Sequence, residues 1–243
     1  MTGRVWALAA SVFLDALRRK VVWVVVLFAA VMAAAIPALP SYGFGVVEAV
    51  YREVALALTY LATMVLTLSL AANRIPAEIE RRTVYGVLVR SVRRWEYLLG
   101  TWLGIFVTVG AAVFAFTVVD VVVGWLAYGE LMFRLAEGTF AILLEAGVVA
   151  AFCVAVSSVI GPVVVVVSAL AFVFLAHTRS QLLVPEDILW RLYPSLDALN
   201  IINPVAHGGG VSVGYIFSML LVFVGWTGIL LLVSTALFSR RDL

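Results

Sequence analysis

Tyr97-Leu-Leu-Gly-Thr-Trp-Leu-Gly-Ile-Phe-Val-Thr-Val-Gly-Ala-Ala-Val-Phe-Ala-Phe-Thr-Val-Val-Asp-Val-Val-Val-Gly-Trp-Leu-Ala-Tyr128 is the stretch on which the fold turns. It carries one charged residue, Asp120. As a helix rising ~1.5 Å per residue it would reach about 48 Å, more than the ~30 Å of a bilayer's hydrocarbon core. Such a run crosses a membrane with length to spare for tilt or protrusion. The rest of the chain agrees: its 243 residues are 65% hydrophobic and 12% charged, with a mean hydropathy of +1.15. A soluble domain is nearer half apolar and a quarter charged.

Working outward, six stretches are apolar enough to cross. They begin near Val21, Val54, Tyr97, Thr139, Val163 and Tyr215 and end near Pro37, Ala72, Tyr128, Ser158, Ala176 and Phe238. All are expected to be helices, because lipid satisfies no open strand edge. The expected fold is therefore an all-α polytopic membrane protein with about six spans. It forms a single domain over 1–243, with no soluble domain between spans and no cleaved signal peptide.

Basic residues set the orientation. With a cytoplasmic N-terminus, Arg4, Arg18, Arg19, Lys20, Arg74, Arg81, Arg82, Arg90, Arg93, Arg94, Arg240 and Arg241 lie inside, and only Arg52, Arg134, Arg179 and Arg191 lie outside. Both termini are then cytoplasmic, in a cell (inner or plasma) membrane. Trp23, Trp95 and Trp102 suit an inner interfacial belt, and Trp125 and Trp190 an outer one.

Two inner segments are not spans. Residues 2–18 are amphipathic, with Val5, Leu8, Ala9, Val12, Phe13 and Ala16 at helical spacing. They read as an elbow helix along the inner membrane surface. Residues 74–96 read as a short charged helix. Pro76 would sit in its first turn, Glu78 and Glu80 near its positive dipole end, and Glu78 four residues before Arg82. An apolar stripe with charged flanks is what docking of a cytoplasmic subunit requires; a plain basic topology loop is the simpler alternative. Residues 178–210 form an extracytoplasmic loop in which Ile188–Tyr193 is amphipathic enough for a short surface helix.

Residues 78–104 resemble the cytoplasmic loop and third-helix start of ATP-binding-cassette permeases of the second exporter type. The matching positions are Glu78, Thr83, Leu88, Arg94, Glu96, Tyr97, Leu98, Leu99, Gly100, Leu103 and Gly104. Ser91, Arg93 and Thr101 depart from the family's usual proline, serine and lysine. Phe238-Ser-Arg-Arg-Asp-Leu243, the lead-in Ala16-Leu-Arg-Arg-Lys20, and Tyr193-Pro-Ser-Leu-Asp-Ala-Leu-Asn200 are similar to the family's ending, first-span approach and last outer segment. The nearest subgroup in flavour is the permeases linked to multicopper-enzyme maturation. The resemblance implies pairing with a second permease chain, identical or not, and docking of separate ATP-binding-cassette ATPase subunits. Glu78, Arg82, Thr83 and Tyr85 would form the docking surface. It leaves open a mechanical transmitter that drives an extracytoplasmic partner without passing substrate. It implies membrane lipid and no nucleic acid as surroundings, and ATP only in the partner subunit. The chain's only lysine, Lys20, follows no glycine-rich phosphate loop, so no ATPase and no cofactor of its own is expected.

Other constellations weigh less. Gly210-Val-Ser212-Val-Gly214, with His207-Gly-Gly-Gly210 before it, fits a serine elbow. That elbow needs a strand–turn–helix setting, whereas this one stands at the mouth of a membrane helix. A glycine hinge explains it better. His177 and His207 have no compact ligand spacing, Met32, Met64, Met132 and Met219 form no ladder, and Cys153 has no partner for a disulfide. Gly100-x-x-x-Gly104 is expected to pack helices closely within the chain. Asp120 and Glu145 are the intramembrane polar candidates. They lie about 12 and 9 Å below the outer ends of spans three and four at ~1.5 Å per residue. The functional reading is a substrate-path patch or a shared-proton pair; the structural one is a packing contact, with Arg134 reaching down.

Overall fold

The computed structural model describes residues 2–16, 22–35, 46–80, 92–182 and 193–239. Its elements are α1 (Thr2–Ala16), α2 (Val22–Ala35), α3 (Val46–Glu80), α4 (Arg94–Tyr128), α5 (Leu135–Ser157), α6 (Pro162–Leu182), a 3₁₀ turn (Leu196–Leu199), α7 (Ile202–Ala206) and α8 (Val213–Ser239). Among the described residues there is no strand. Five helices, α3, α4, α5, α6 and α8, are long and apolar enough to cross a membrane, and α2 is a shorter apolar helix. The chain is thus an all-helical, multi-pass membrane protein.

The bundle is built around α5. Of the most apolar stretch of α5, 78% is buried, against 11% for α8. Small residues make this possible, since helices in lipid associate by close packing rather than by escape from water. A Cβ on Gly138 would sit 2.7 Å from Leu56 on α3. One on Gly147 would sit 2.6 Å from Phe223 on α8 and 2.8 Å from Phe106 on α4. Trp102 closes over the same place, its indole N–H donating to the Gly147 carbonyl at 2.9 Å and its ring stacked on Phe106. Trp102 is 9% exposed, so it is a core residue and not part of an interfacial belt. Trp23 and Trp125 remain exposed. Cys153, also on α5, is fully enclosed.

Helix ends alternate. At one end meet the C-terminal turns of α1, α3 and α8 and the start of α4: Asp15 pairs with Arg74 at 2.6 Å, and Arg94 donates to the Phe238 and Ser239 carbonyls, both at 2.9 Å. A guanidinium at the negative end of α8 is favourable. At the other end Tyr51 of α3 meets Tyr128 of α4, the Val211 N–H donates to Glu137 of α5 at 3.1 Å, and Arg179 of α6 donates to the Tyr193 carbonyl at 2.6 Å.

Two expectations need correction. The helix of the second span does not stop near Ala72: α3 runs unbroken to Glu80 with Pro76 inside it. Glu78 and Glu80 therefore lie at a helix C-terminus, not in a first turn. Ile75 is fully buried and Arg74 is held by Asp15, so packing carries the helix past the point where polarity rises. Second, α1 does more than lie along a surface. Gly100 and Gly104 let it seat on α4, where added Cβ atoms would come within 2.8 Å of the Leu8 Cβ and 2.6 Å of the Val12 Cβ. The glycine pair thus packs helices within the chain. At Ser212 the serine elbow lacks its setting: no strand precedes it among the described residues, and its Oγ accepts the Tyr215 N–H at 3.3 Å as α8 begins.

Candidate functional site

Two places gather the charged and polar groups. The first is the corner where α1, α3 and α4 meet. Glu78 is half-buried and bound from two sides: Arg74 Nε stands 2.6 Å from its Oε1, and the Tyr97 hydroxyl donates to its Oε2 at 2.6 Å. The Arg74–Glu78 spacing is i,i+4 within one helix. Tyr97 lies 19 residues further on, at the start of α4, so its bond ties the end of α3 to the start of α4. Next to it the Arg93 N–H donates to Glu96 at 2.9 Å, fixing the start of α4. A pocket of about 320 Å³ opens here, with Val12, Leu70 and Ile105 as apolar lining and Asp15, Arg74, Glu78 and Asn73 as polar lining. Of the docking residues read from the sequence, Glu78 is in this corner; Arg82, Thr83 and Tyr85 lie outside the described residues. So does 188–192, most of the segment expected to form a short outer helix.

The second place is inside the spans. Asp120 is fully buried, and its Oδ2 accepts the Thr59 hydroxyl at 2.8 Å. Its backbone carbonyl accepts the Tyr51 hydroxyl at 2.5 Å, and Oδ1 has no hydrogen-bond partner. Glu145 is 1% exposed. Its Oε1 accepts the Tyr60 hydroxyl at 2.9 Å and lies 3.6 Å from His177 Nε2. The two carboxylates therefore do not pair. Each takes one of two neighbouring hydroxyls on α3, and successive helical residues face different directions. Arg134 is exposed and does not reach Asp120. A further polar link joins α4 to α5, the Thr117 hydroxyl donating to Thr139 at 2.8 Å.

The partners Thr59, Tyr60 and His177 were missed as site residues in the sequence reading. A signal exists for them: polar side chains in apolar helices seek one another, and Thr59, Tyr60, Thr63 and Thr67 are crowded into the middle of α3. Among the described residues no cluster of three or more His, Cys, Asp or Glu side chains is arranged to hold a metal. His207 is apart from His177, its Nδ1 3.0 Å from the Asn203 carbonyl. Comparison with protein-family models finds no matching family, and comparison with curated proteins finds no matching relative.

Proposed function

We propose that the chain is the membrane-spanning permease subunit of an ATP-binding-cassette exporter of the second type. It pairs with a second permease chain and with separate ATPase subunits. The observation that carries this reading is the Tyr97–Glu78 hydrogen bond. It joins two residues of the resembling 78–104 segment and ties the end of α3 to the start of α4 at one end of the bundle. A push on this corner would reach α3 and α4 together. On this reading Arg82, Thr83 and Tyr85 touch the ATPase, while Glu78 holds the surface in place. Both termini and this corner face the cytoplasm, following the basic residues.

The loop substitutions test it. Replacing Glu78 would break ties to Arg74 and Tyr97, so it confounds docking with folding. Arg82→Ala, Thr83→Ala and Tyr85→Ala together avoid those ties. Co-purification of the ATPase, or its stimulation by the permease, should fall at least tenfold while the yield of folded permease stays level. Purified without the ATPase, the chain should turn over no ATP. Unchanged coupling in the triple variant, and with residues 81–88 scrambled, would leave the loop as a topology signal only.

Topology is checked separately. A cysteine placed at position 85 should react with an impermeant thiol reagent only from the cytoplasmic side. One placed at position 200 should react only from the opposite side. Cys153 gives no background, being enclosed. Reaction of position 85 from outside would overturn the orientation.

A second reading, mechanical transmission without passage of substrate, is favoured by the enclosure of Asp120 and Glu145. Carboxylates closed off by their own helices line no open path through a single chain. Substrate-dependent flux in vesicles holding the whole complex would decide for transport; work on an extracytoplasmic partner without flux would decide for transmission.

A further inference from the structure

The geometry points to a proton-binding site formed by Glu145, His177 and Tyr60, within the bundle and independent of the permease reading. The tautomer of His177 is the key. Its Nδ1 lies 3.2 Å from the Val173 carbonyl, and a carbonyl only accepts hydrogen bonds. Nδ1 therefore carries a hydrogen. In a neutral imidazole the other nitrogen is then a bare acceptor. That nitrogen, Nε2, faces Glu145 Oε1 at 3.6 Å. A carboxylate is also acceptor-only, so without a further proton two lone pairs oppose each other in a place with little water to screen them. One added proton, on Nε2 or on Oε1, places a hydrogen between two acceptors and makes the contact attractive. Tyr60 already donates to the same oxygen and holds it in position.

Among the described residues no cation acts on Glu145; Arg179, two residues beyond His177 on α6, donates to the Tyr193 carbonyl. From α3 the facing group is Tyr60, and from α6 it is His177 itself. From the 3₁₀ turn, Asp197 acts on Glu145 as a second negative charge. On α4, Asp120 is engaged by Thr59, and α8 carries no charged residue between Val213 and Ser239. A proton brings the positive charge that none of these described groups supplies. Exposure gives the direction of entry: the His177 side chain is 23% exposed and that of Glu145 2%. His177 stands near the end of α6, so the proton arrives through the imidazole and is held against the carboxylate. Occupied, the site ties α6 to α5 and α3; empty, it pushes α6 away.

The chain has two histidines, so ¹⁵N-histidine labelling of the full protein in nanodiscs reads the site directly, with His207→Gln assigning the signals. At neutral pH the His177 ring should bear its hydrogen on Nδ1. In Glu145→Gln, whose amide N–H can donate to Nε2, the Nε2 signal should move to that of a hydrogen-bonded acceptor with no proton added. Glu137→Gln, on the same helix but bonded to the Val211 N–H, should leave the Nε2 signal unchanged. A neutral His177 with its hydrogen on Nε2, or an Nε2 signal that Glu145→Gln does not move, would overturn the proposal. Should Glu145→Gln fail to fold, the wild-type tautomer decides alone: hydrogen on Nδ1 upholds the site and hydrogen on Nε2 refutes it.

Discussion

Gly104→Ala should loosen α1 from the bundle. The added methyl carbon would sit 2.6 Å from the Val12 Cβ and 2.8 Å from the Ala9 carbonyl oxygen. Neither neighbour is the free end of a flexible side chain, so the helix as a whole must retreat. Overpacking of this kind costs about 1–3 kcal/mol. The loss should show as earlier unfolding by SDS in mixed micelles and as faster amide exchange over residues 2–16. The matched control is Gly110→Ala on the same helix, where an added Cβ would meet only Leu143 atoms at 3.7 Å. That variant should stay within about 0.5 kcal/mol of wild type, since it leaves the packing intact. Equal behaviour of the two alanines would mean that the glycine contact with α1 is not a stability element.

Thr59→Val should be nearly as damaging, for a different reason. Valine keeps the shape of threonine but removes the hydroxyl that donates to Asp120 Oδ2 at 2.8 Å. The other carboxyl oxygen already lacks a partner, so the group would be left buried without a donor. An orphaned buried polar group costs about 1–3 kcal/mol, more when charged. Taking away both partners should hurt less than the single changes imply. The double variant Thr59→Val, Asp120→Leu should therefore be more stable than the sum of its single variants predicts, by 0.5 kcal/mol or more, the scale of coupling between touching residues. Strict additivity in the unfolding midpoints would show that the hydrogen bond is not what holds Asp120 in place.

Hydropathy and helical spacing make the spans legible, because burial in lipid demands a long apolar run and little else. The third and last spans, near Tyr97–Tyr128 and Tyr215–Phe238, are found as Arg94–Tyr128 and Val213–Ser239. Hydropathy fails at Ala72, where polarity rises but the helix continues: Arg74 finds Asp15 on α1, a partner 59 residues away that no local window contains. It also misjudges Trp102, whose depth fits a belt but whose direction points at Gly147. Asp120 and Glu145 teach the same lesson. Counting residues gives their depth, yet not the face from which each projects, so a mutual pair looks natural. In the fold α3 supplies Thr59 and Tyr60 to them separately, and azimuth is set by packing.

The central position of α5 bears on how the chain is made. A ribosome delivers α3 and α4 before α5 exists, and in the finished bundle both rest on it. Two lone helices waiting in lipid would expose polar side chains to the bilayer. The Thr59–Asp120 and Tyr51–Asp120 bonds need only α3 and α4, so this hairpin can satisfy its own acid as soon as it leaves the insertion machinery. Glu145 is different. Its hydroxyl donor, Tyr60, is already in the membrane when α5 enters, but His177 arrives a full helix later. In that order of synthesis the bonds to Asp120 can form before α5 is made, whereas the Glu145–His177 contact can form only once α6 is.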